Sequence, residues 1–282
     1  MPSRSLQRER MPGPERRPPA CAGTFYPGTA DELDRALDAL LADRAQPEPW
    51  AGALVPHAGW VYSGRLAAAV LGRVQIPDRV IVVCPRHKAD GAAWAVAPHG
   101  VWSLPGRDVE SDPELAARLA DAVTGLELDA VAHQREHAIE VELPLIARLA
   151  PHARVVGIAI RGGDLASLGR FADELAGAIR DLPERPLLVI SSDMNHQSPD
   201  DETRWLDRLA LDAIEALDPA RLYETVAEHD ITMCGVLPTV IVMETLRRLG
   251  SLSRCEVVGY ATSADAFGDR RSTVGYAGVL FN

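Results

Sequence analysis

The sequence predicts an α/β protein: a single-domain, three-layer α/β/α sandwich built on a mixed central sheet. Three observations carry the prediction. Short apolar runs rich in β-branched residues alternate with amphipathic segments at helical spacing. The apolar runs end on prolines or polar clusters, as buried strands do. The last two runs follow one another without a crossover helix, which makes them an antiparallel pair in a sheet that is otherwise parallel. With 282 residues and 47% apolar content the chain can bury one large core. No internal repeat or linker divides it.

The elements follow in order. The first twenty residues, MPSRSLQRERMPGPERRPPA, are Arg- and Pro-rich and are expected to be a disordered tail. That places the folded domain at 21–282 and makes either Met1 or Met11 the start. From Asp31 to Arg44, Leu33, Ala36, Leu37, Leu40 and Leu41 recur at helical spacing. A strand fits Gly52 to Pro56, and an Ala/Leu-rich helix fits Ser63 to Val74, opening on a serine suited to capping. Arg79 to Cys84 reads as a central strand ended by Pro85, and Trp94 to Pro98 as another short strand. Pro113 to Val123 is a helix with proline in its first turn. Glu136 to Leu149 is a helix that Pro144 should kink or split. Then come a strand at Arg154 to Ile160, a helix at Leu165 to Ile179 and a strand at Pro186 to Ser191. Helices fill Asp201 to Leu217, Pro219 to Glu228 and Cys234 to Leu249. The final strands, Cys255 to Thr262 and Thr273 to Leu280, flank a loop with Asp265, Asp269, Arg270 and Arg271, read as solvated.

Charge and cysteines narrow the function. A formal charge of −11 repels phosphate backbones and anionic lipid, which argues against nucleic-acid and membrane partners. No signal-peptide core and no run of the ~18 apolar residues of a membrane span is present. The cysteines Cys21, Cys84, Cys234 and Cys255 are widely spaced and form no C-x-x-C pair, so a reducing cytoplasm is expected.

In open α/β sheets the ligand crevice lies beyond the carboxyl ends of the strands. The residues there are His57, then Arg86-His87-Lys88, then Ser192-Asp193-Met194-Asn195-His196. One histidine after a strand is an ordinary turn residue; three of the eight at equivalent places suggest imidazoles gathered on a transition metal. Cys234 is the best fourth donor, because it precedes a helix whose dipole should lower its thiol pKa. Asp193 is the alternative, an oxygen donor. His133, Glu136, His137, Glu140 and Glu142 form a further cluster. In it His137 and Glu140, three apart, would share a helix face as orienting groups or as an acid/base pair. His99, His152 and His229 read as surface residues.

The motifs AGTFYPG (22 to 28), VPHAGWVYSG (55 to 64), CPRH (84 to 87), EHAIEVELPLI (136 to 146), SSDMNH (191 to 196) and MCG (233 to 235) resemble, in order and spacing, those of the Memo family. Its bacterial and archaeal members are called AmmeMemoRadiSam system protein B. The family is similar in fold to the class III extradiol dioxygenases, which use non-haem Fe(II). The resemblance implies a metal held by His57, His87 and Cys234, iron first, with copper or zinc as alternatives. It places Asp193 and His196 beside the metal, His196 as the acid/base group, with His137 and Glu140 lining the cleft. A cysteine stands where the dioxygenases carry a glutamate ligand, which argues against ring cleavage. Met194, Asn195, Gln197 and Lys88 depart from many relatives and bear on substrate rather than on metal.

The implied activity is that of a metal-dependent oxidoreductase acting on an unknown small-molecule or peptide ligand. One alternative is an inactive peptide- or protein-binding module in which Arg86 and Lys88 pair with an anion; another is a zinc hydrolase. The family name implies a functional association with an Amme-type protein and a radical SAM enzyme.

Overall fold

The computed structural model describes residues 16–282. The first fifteen residues, with most of the expected tail and both candidate start methionines, lie outside the described residues. The tail boundary at residue 20 is corrected: Arg16–Arg17 forms β1 and pairs in parallel with Val101–Leu104. The reason is a side chain. Arg17 is buried in an ion pair with Glu140, a contact that composition cannot reveal.

Helix α1 (Ala30–Leu40) is capped by Thr29, which accepts from the Glu32 amide, and buries Leu33 and Leu37. It ends one turn before the expected Arg44. Strand β2 (Gly52–Val55) leads through His57 into α2 (Trp60–Leu71). That helix starts before Ser63, whose hydroxyl donates to the Ala58 carbonyl from within the first turn. Next come β3 (Arg79–Pro85), β4 (Trp94–Val96), β5 (Val101–Leu104), β6 (Arg107–Glu110), α3 (Pro113–Ala122), β7 (Leu126–Leu128) and α4 (Ala130–Gln134). The order continues with α5 (Leu143–Leu149), β8 (Arg154–Ile160), α6 (Leu165–Arg180), β9 (Leu187–Ser191), β10 (His196–Ser198), α7 (Asp200–Glu215), α8 (Pro219–Glu228), α9 (Val236–Arg248), β11 (Cys255–Thr262), α10 (Ser263–Phe267) and β12 (Thr273–Phe281).

The main sheet runs β10-β12-β2-β9-β3-β8-β4-β7, with β11 also paired to β12. Its centre, β2-β9-β3-β8, is parallel. The expected antiparallel pair, β11 and β12, is present, and β12 then runs antiparallel to β2. A second reversal at β4 against β8 was not legible, because a three-residue strand carries too little pattern.

Alternation along the strands sorts the core into two faces. Ala53, Val55, Val80, Val82 and Cys84 pack with Leu33 and Leu37 of α1, with α2 and with α5. Leu54, Ile81 and Val83 face α3, α6, α7, α8 and α9. Each fully buried Leu, Ile or Val side chain contributes roughly 1.5–3 kcal/mol, so the central strands are held from both sides. A small sheet, β1-β5-β6, completes the structure. No helix among the described residues is long and apolar enough to cross a membrane, and all four cysteines are free.

The expected helix over Glu136 to Leu149 is replaced by turns up to Glu142, and α5 begins at Leu143. Pro144 therefore occupies a first turn, where its missing N–H costs nothing, instead of kinking a longer helix. The loop expected before the last strand contains α10, closed by a capping box between Thr262 and Asp265. His99, expected on the surface, is buried against Trp102.

Candidate metal centre

The carboxyl ends of β2, β3 and β9 lie side by side, so the residues that follow them meet at one edge of the sheet. β2 delivers His57, β3 delivers His87, and β9 delivers Asp193. The turn before α9 brings Cys234 from the opposite side. That approach depends on Gly235, because a Cβ there would come within 2.3 Å of the Ser192 side chain.

His57, His87 and Cys234 each offer a donor atom within 4.8 Å of the others. Cys234 Sγ is 3.4 Å from His57 Nε2. The rest of each imidazole's bonding fixes which nitrogen is free. Ser191 Oγ donates its only proton to the Ala138 carbonyl at 2.8 Å, so His57 Nδ1, 2.7 Å from Oγ, must be the donor in that contact. His57 Nε2 is left with an open lone pair. Burial, and next the neighbouring His87, bring the His57 pKa down to about 3, so the ring is neutral near pH 7.

His87 is oriented the same way. Its Nδ1 lies 2.9 Å from Glu136 Oε1, and its amide donates to Oε2 at 2.7 Å. Burial alone would raise the Glu136 pKa, but the bonds from His87 and Ala138 bring it down to about 2. The carboxylate stays ionised and can only accept, so His87 Nδ1 carries the proton and donates it to Oε1, leaving Nε2 free. Histidine ligands with their second nitrogen held by an acceptor are a recurrent feature of protein metal sites.

The expectation for Cys234 is corrected in one respect. Its thiol pKa is raised, by burial first and by the Asp193 charge second, and the start of α9 does not offset them. Asp193 Oδ1 accepts from the His57 and Ala58 amides at 2.9 and 3.2 Å, and Oδ2 lies 3.9 Å from His57 Nε2. Asp193 therefore anchors the β2 turn beside the three donors.

His196 Nδ1 lies 3.0 Å from the Thr232 carbonyl, which can only accept, so Nε2 is its basic atom. Its amide donates to Thr232 Oγ1 at 2.7 Å. Behind it, buried Asp207 accepts from the Asn195 amide at 2.7 Å and from the Tyr260 hydroxyl at 2.6 Å. The His137 ring lies 4.6 Å from that of His87 and 5.4 Å from that of His57. With His87 and Glu136 it forms a second group of close donor atoms. Burial, and next His57, bring its pKa down to about 4.

Glu140 does not join them. It faces away from the cleft, where its carboxylate takes Arg17, the Ala20 and Cys21 amides and the Tyr26 hydroxyl. The turn at 136–142 breaks the helix face that His137 and Glu140 would have shared. Arg86 is corrected as an anion-binding group as well. It is buried, with its guanidinium donating to the carbonyls of Ala89, Asp90, Gly91 and Ala92. Lys88 is exposed.

A cavity of about 520 Å³ lies beside the three donors, which do not themselves line it; His137, Asp193 and His196 are in its wall, with Phe25, Tyr62, Phe267 and Tyr276 around them. Ser191 and Tyr276 were missed by sequence reasoning. The doubled serine at the end of β9 was a usable signal for Ser191; Tyr276 sits inside an apolar strand and gives none.

Comparison with known proteins identifies the family. A family model described as "Memo-like protein" matches residues 17–280. A "MEMO1 family protein" of Aquifex aeolicus is 35% identical over 270 residues, covering 94% of this chain and 98% of its own length. Relatives of the same description in Ignicoccus hospitalis and Pyrobaculum arsenaticum are each 34% identical over 94% of this chain, covering 98% and 99% of their own lengths. The crystal structure of uncharacterized protein JW3007 from Escherichia coli K12 is similar in fold, with a TM-score of 0.58 at 15% identity over 82% of this chain and 99% of that one. Matched from β1 almost to its last residue, the chain belongs to the Memo-like family.

Proposed function

We propose that the chain is a metal-dependent oxidoreductase whose iron is held by His57, His87 and Cys234. The observation that carries this reading is the convergence of three donors in which both imidazoles have their Nδ1 proton tied up by Ser191 and Glu136. Two imidazole nitrogens and one sulfur fit iron, copper or zinc rather than magnesium or calcium. When bound, iron supplies one-electron chemistry and Lewis acidity to a ligand in the cavity.

The chain's own groups do the rest. Asp193 fixes the turn that carries His57 by accepting two of its amides. His196, held by Thr232, presents Nε2 to the cavity as the group that takes and returns a proton. Phe25 packs on His137 at 4.6 Å between ring centroids and shields that side from water. Four free thiols suit a reducing compartment, the cytoplasm.

Elemental analysis of anaerobically purified protein tests the reading. About one iron per chain is expected, lost in the His57→Ala, His87→Ala double variant. Unchanged metal content in that variant would exclude the assignment. Stoichiometric zinc instead of iron would select the hydrolase alternative, and copper a copper-dependent redox protein. The peptide-binding alternative draws less support, since Arg86 is committed to backbone carbonyls.

A further inference from the structure

Glu142 belongs to the polar cluster at 133–142, and neither the fold nor the donor set uses it. It stands between Val141 and Leu143 at the start of α5, and its side chain is wholly buried. A polar side chain at that position ordinarily accepts from the first amides of its helix, and Glu142 makes no such bond. Neither of its carboxyl oxygens has a hydrogen-bond partner among the described residues. The backbone fixes it in place, its amide donating to the Ile139 carbonyl at 3.2 Å and its carbonyl accepting from the Ile146 amide at 3.1 Å.

A negative charge there would have nothing to balance it. The groups that act on the carboxyl are the Ser191 hydroxyl and Asp193, itself an acid. Burial raises the Glu142 pKa well above the ordinary carboxyl value, Ser191 offsets part of the rise, and Asp193 adds to it. A sealed carboxyl with neither a cation nor a donor keeps its proton. It is then itself a donor and needs an acceptor. Ser191 Oγ has one to offer: its own proton goes to the Ala138 carbonyl at 2.8 Å and one lone pair takes His57 Nδ1–H at 2.7 Å, which leaves the second lone pair open. An ionised Glu142 would find no donor in Ser191, because that proton is committed to Ala138.

We propose that Glu142 is a positioning residue of the metal centre: an uncharged acid that donates its proton to Ser191 Oγ and steadies the oxygen against which His57 Nδ1 is held. The proposal rests on the reading of His57 as a metal ligand. One bond given and two accepted saturate the Ser191 hydroxyl, which ties β9, the turn at Ala138 and the start of α5 to one oxygen. The aim of His57 Nε2 then depends on a residue that neither belongs to the donor set nor lines the cavity.

The test uses the full chain and two variants of similar size: Glu142→Gln keeps an N–H that can donate to Ser191, and Glu142→Met removes the donor. At about pH 8, where ordinary carboxyls are ionised, the infrared difference between the parent and Glu142→Gln should contain the carbonyl band of a protonated acid. Ser191→Ala should displace that band, because the acceptor is gone. In metal-free protein with isotopically labelled histidine, the His57 Nδ1–H signal should move in Glu142→Met and stay in place in Glu142→Gln. Metal affinity, by competition with a chromophoric chelator, should fall about threefold to tenfold in Glu142→Met and stay within about twofold of the parent in Glu142→Gln. On a Ser191→Ala background Glu142→Met should change affinity by less than about twofold. Absence of the carbonyl band overturns the proposal, as does a band that Ser191→Ala leaves in place, an equal loss of affinity in Gln and Met variants, or a loss in Glu142→Met that is undiminished on the Ser191→Ala background. The infrared measurements do not require Glu142→Met to fold. If the band and the His57 signal behave as expected in a parent that binds no metal, the Glu142 assignment stands and the metal reading fails. If the parent binds metal and Ser191→Ala leaves the band in place, the Glu142 assignment fails and the metal reading stands.

Discussion

Ser191 decides whether His57 can act as a ligand. Its hydroxyl accepts from His57 Nδ1 and donates to the Ala138 carbonyl, so one small side chain fixes both ring orientation and tautomer. Ser191→Ala removes the acceptor without removing a ligand. Metal affinity should fall roughly 10- to 100-fold, read by competition with a chromophoric chelator. An affinity within about twofold of the parent would show that Ser191 does not orient the ring. The contrast with the donors themselves is instructive. His57, His87 and Cys234 were legible because a residue following a buried strand, or preceding a helix, has a place fixed by topology. Ser191 and Glu136 orient those donors through contacts that depend on where the Ala138 turn lies, and no sequence period encodes that. Glu140 shows the converse: its three-residue spacing from His137 counts only inside a helix, and no helix forms there.

At the scale of elements, the segment from β1 to Tyr26 straps the turn at 133–142, and the candidate donor His87 bonds to Glu136 of the same turn. Arg17 donates to the His133 and Glu136 carbonyls and pairs with Glu140, and its guanidinium lies 5.4 Å from the Trp102 ring centroid. Burial would raise the Glu140 pKa, but Arg17 and the Ala20 and Cys21 amides lower it, so the acid stays charged. Breaking such a pair leaves the remaining charge buried and costs about 3–5 kcal/mol. Arg17→Ala should therefore lower unfolding free energy in urea by about that amount. Because Glu136 orients His87 from the same turn, metal affinity should fall with it. Loss below about 1 kcal/mol would mean that the strap is peripheral. Sequence reasoning left Arg17 and the start of this strap in a disordered tail, because a window of Arg and Pro reads as solvated. Its burial depends on an acid more than a hundred residues away, and periodicity has no access to such a pairing. The strands of the parallel core, apolar along their interiors and flanked by breakers, had no such dependence and were found where expected.

Over the whole molecule, buried titratable groups set opposing slopes of stability against pH. His99 and His133, away from the metal donors, are neutral in the fold, with pKa values brought down to about 3 and about 4, burial being the largest cause in each. Both imidazoles bind protons more readily once unfolded, where the pKa is near 6.5. Their contribution is complete above about pH 6.5 and is lost as pH falls towards the folded values. Asp207 acts the other way. Burial raises its pKa to about 7, with Tyr260 and the Asn195 amide only partly offsetting this, so the folded state holds a proton that the unfolded carboxyl has released. Its contribution is complete below about pH 4 and is lost as pH rises through 7. Between pH 7 and pH 5 each histidine removes about 2 kcal/mol while Asp207 adds a similar amount. Single substitutions should therefore separate terms that partly cancel in the parent. Urea unfolding at pH 7 and at pH 5 is the measurement. Relative to the parent, His99→Phe should gain about 2 kcal/mol on going to pH 5, and Asp207→Asn should lose about as much. Identical pH differences in all three proteins would mean that these groups titrate alike in the folded and unfolded chain, and that the interior admits water at both places.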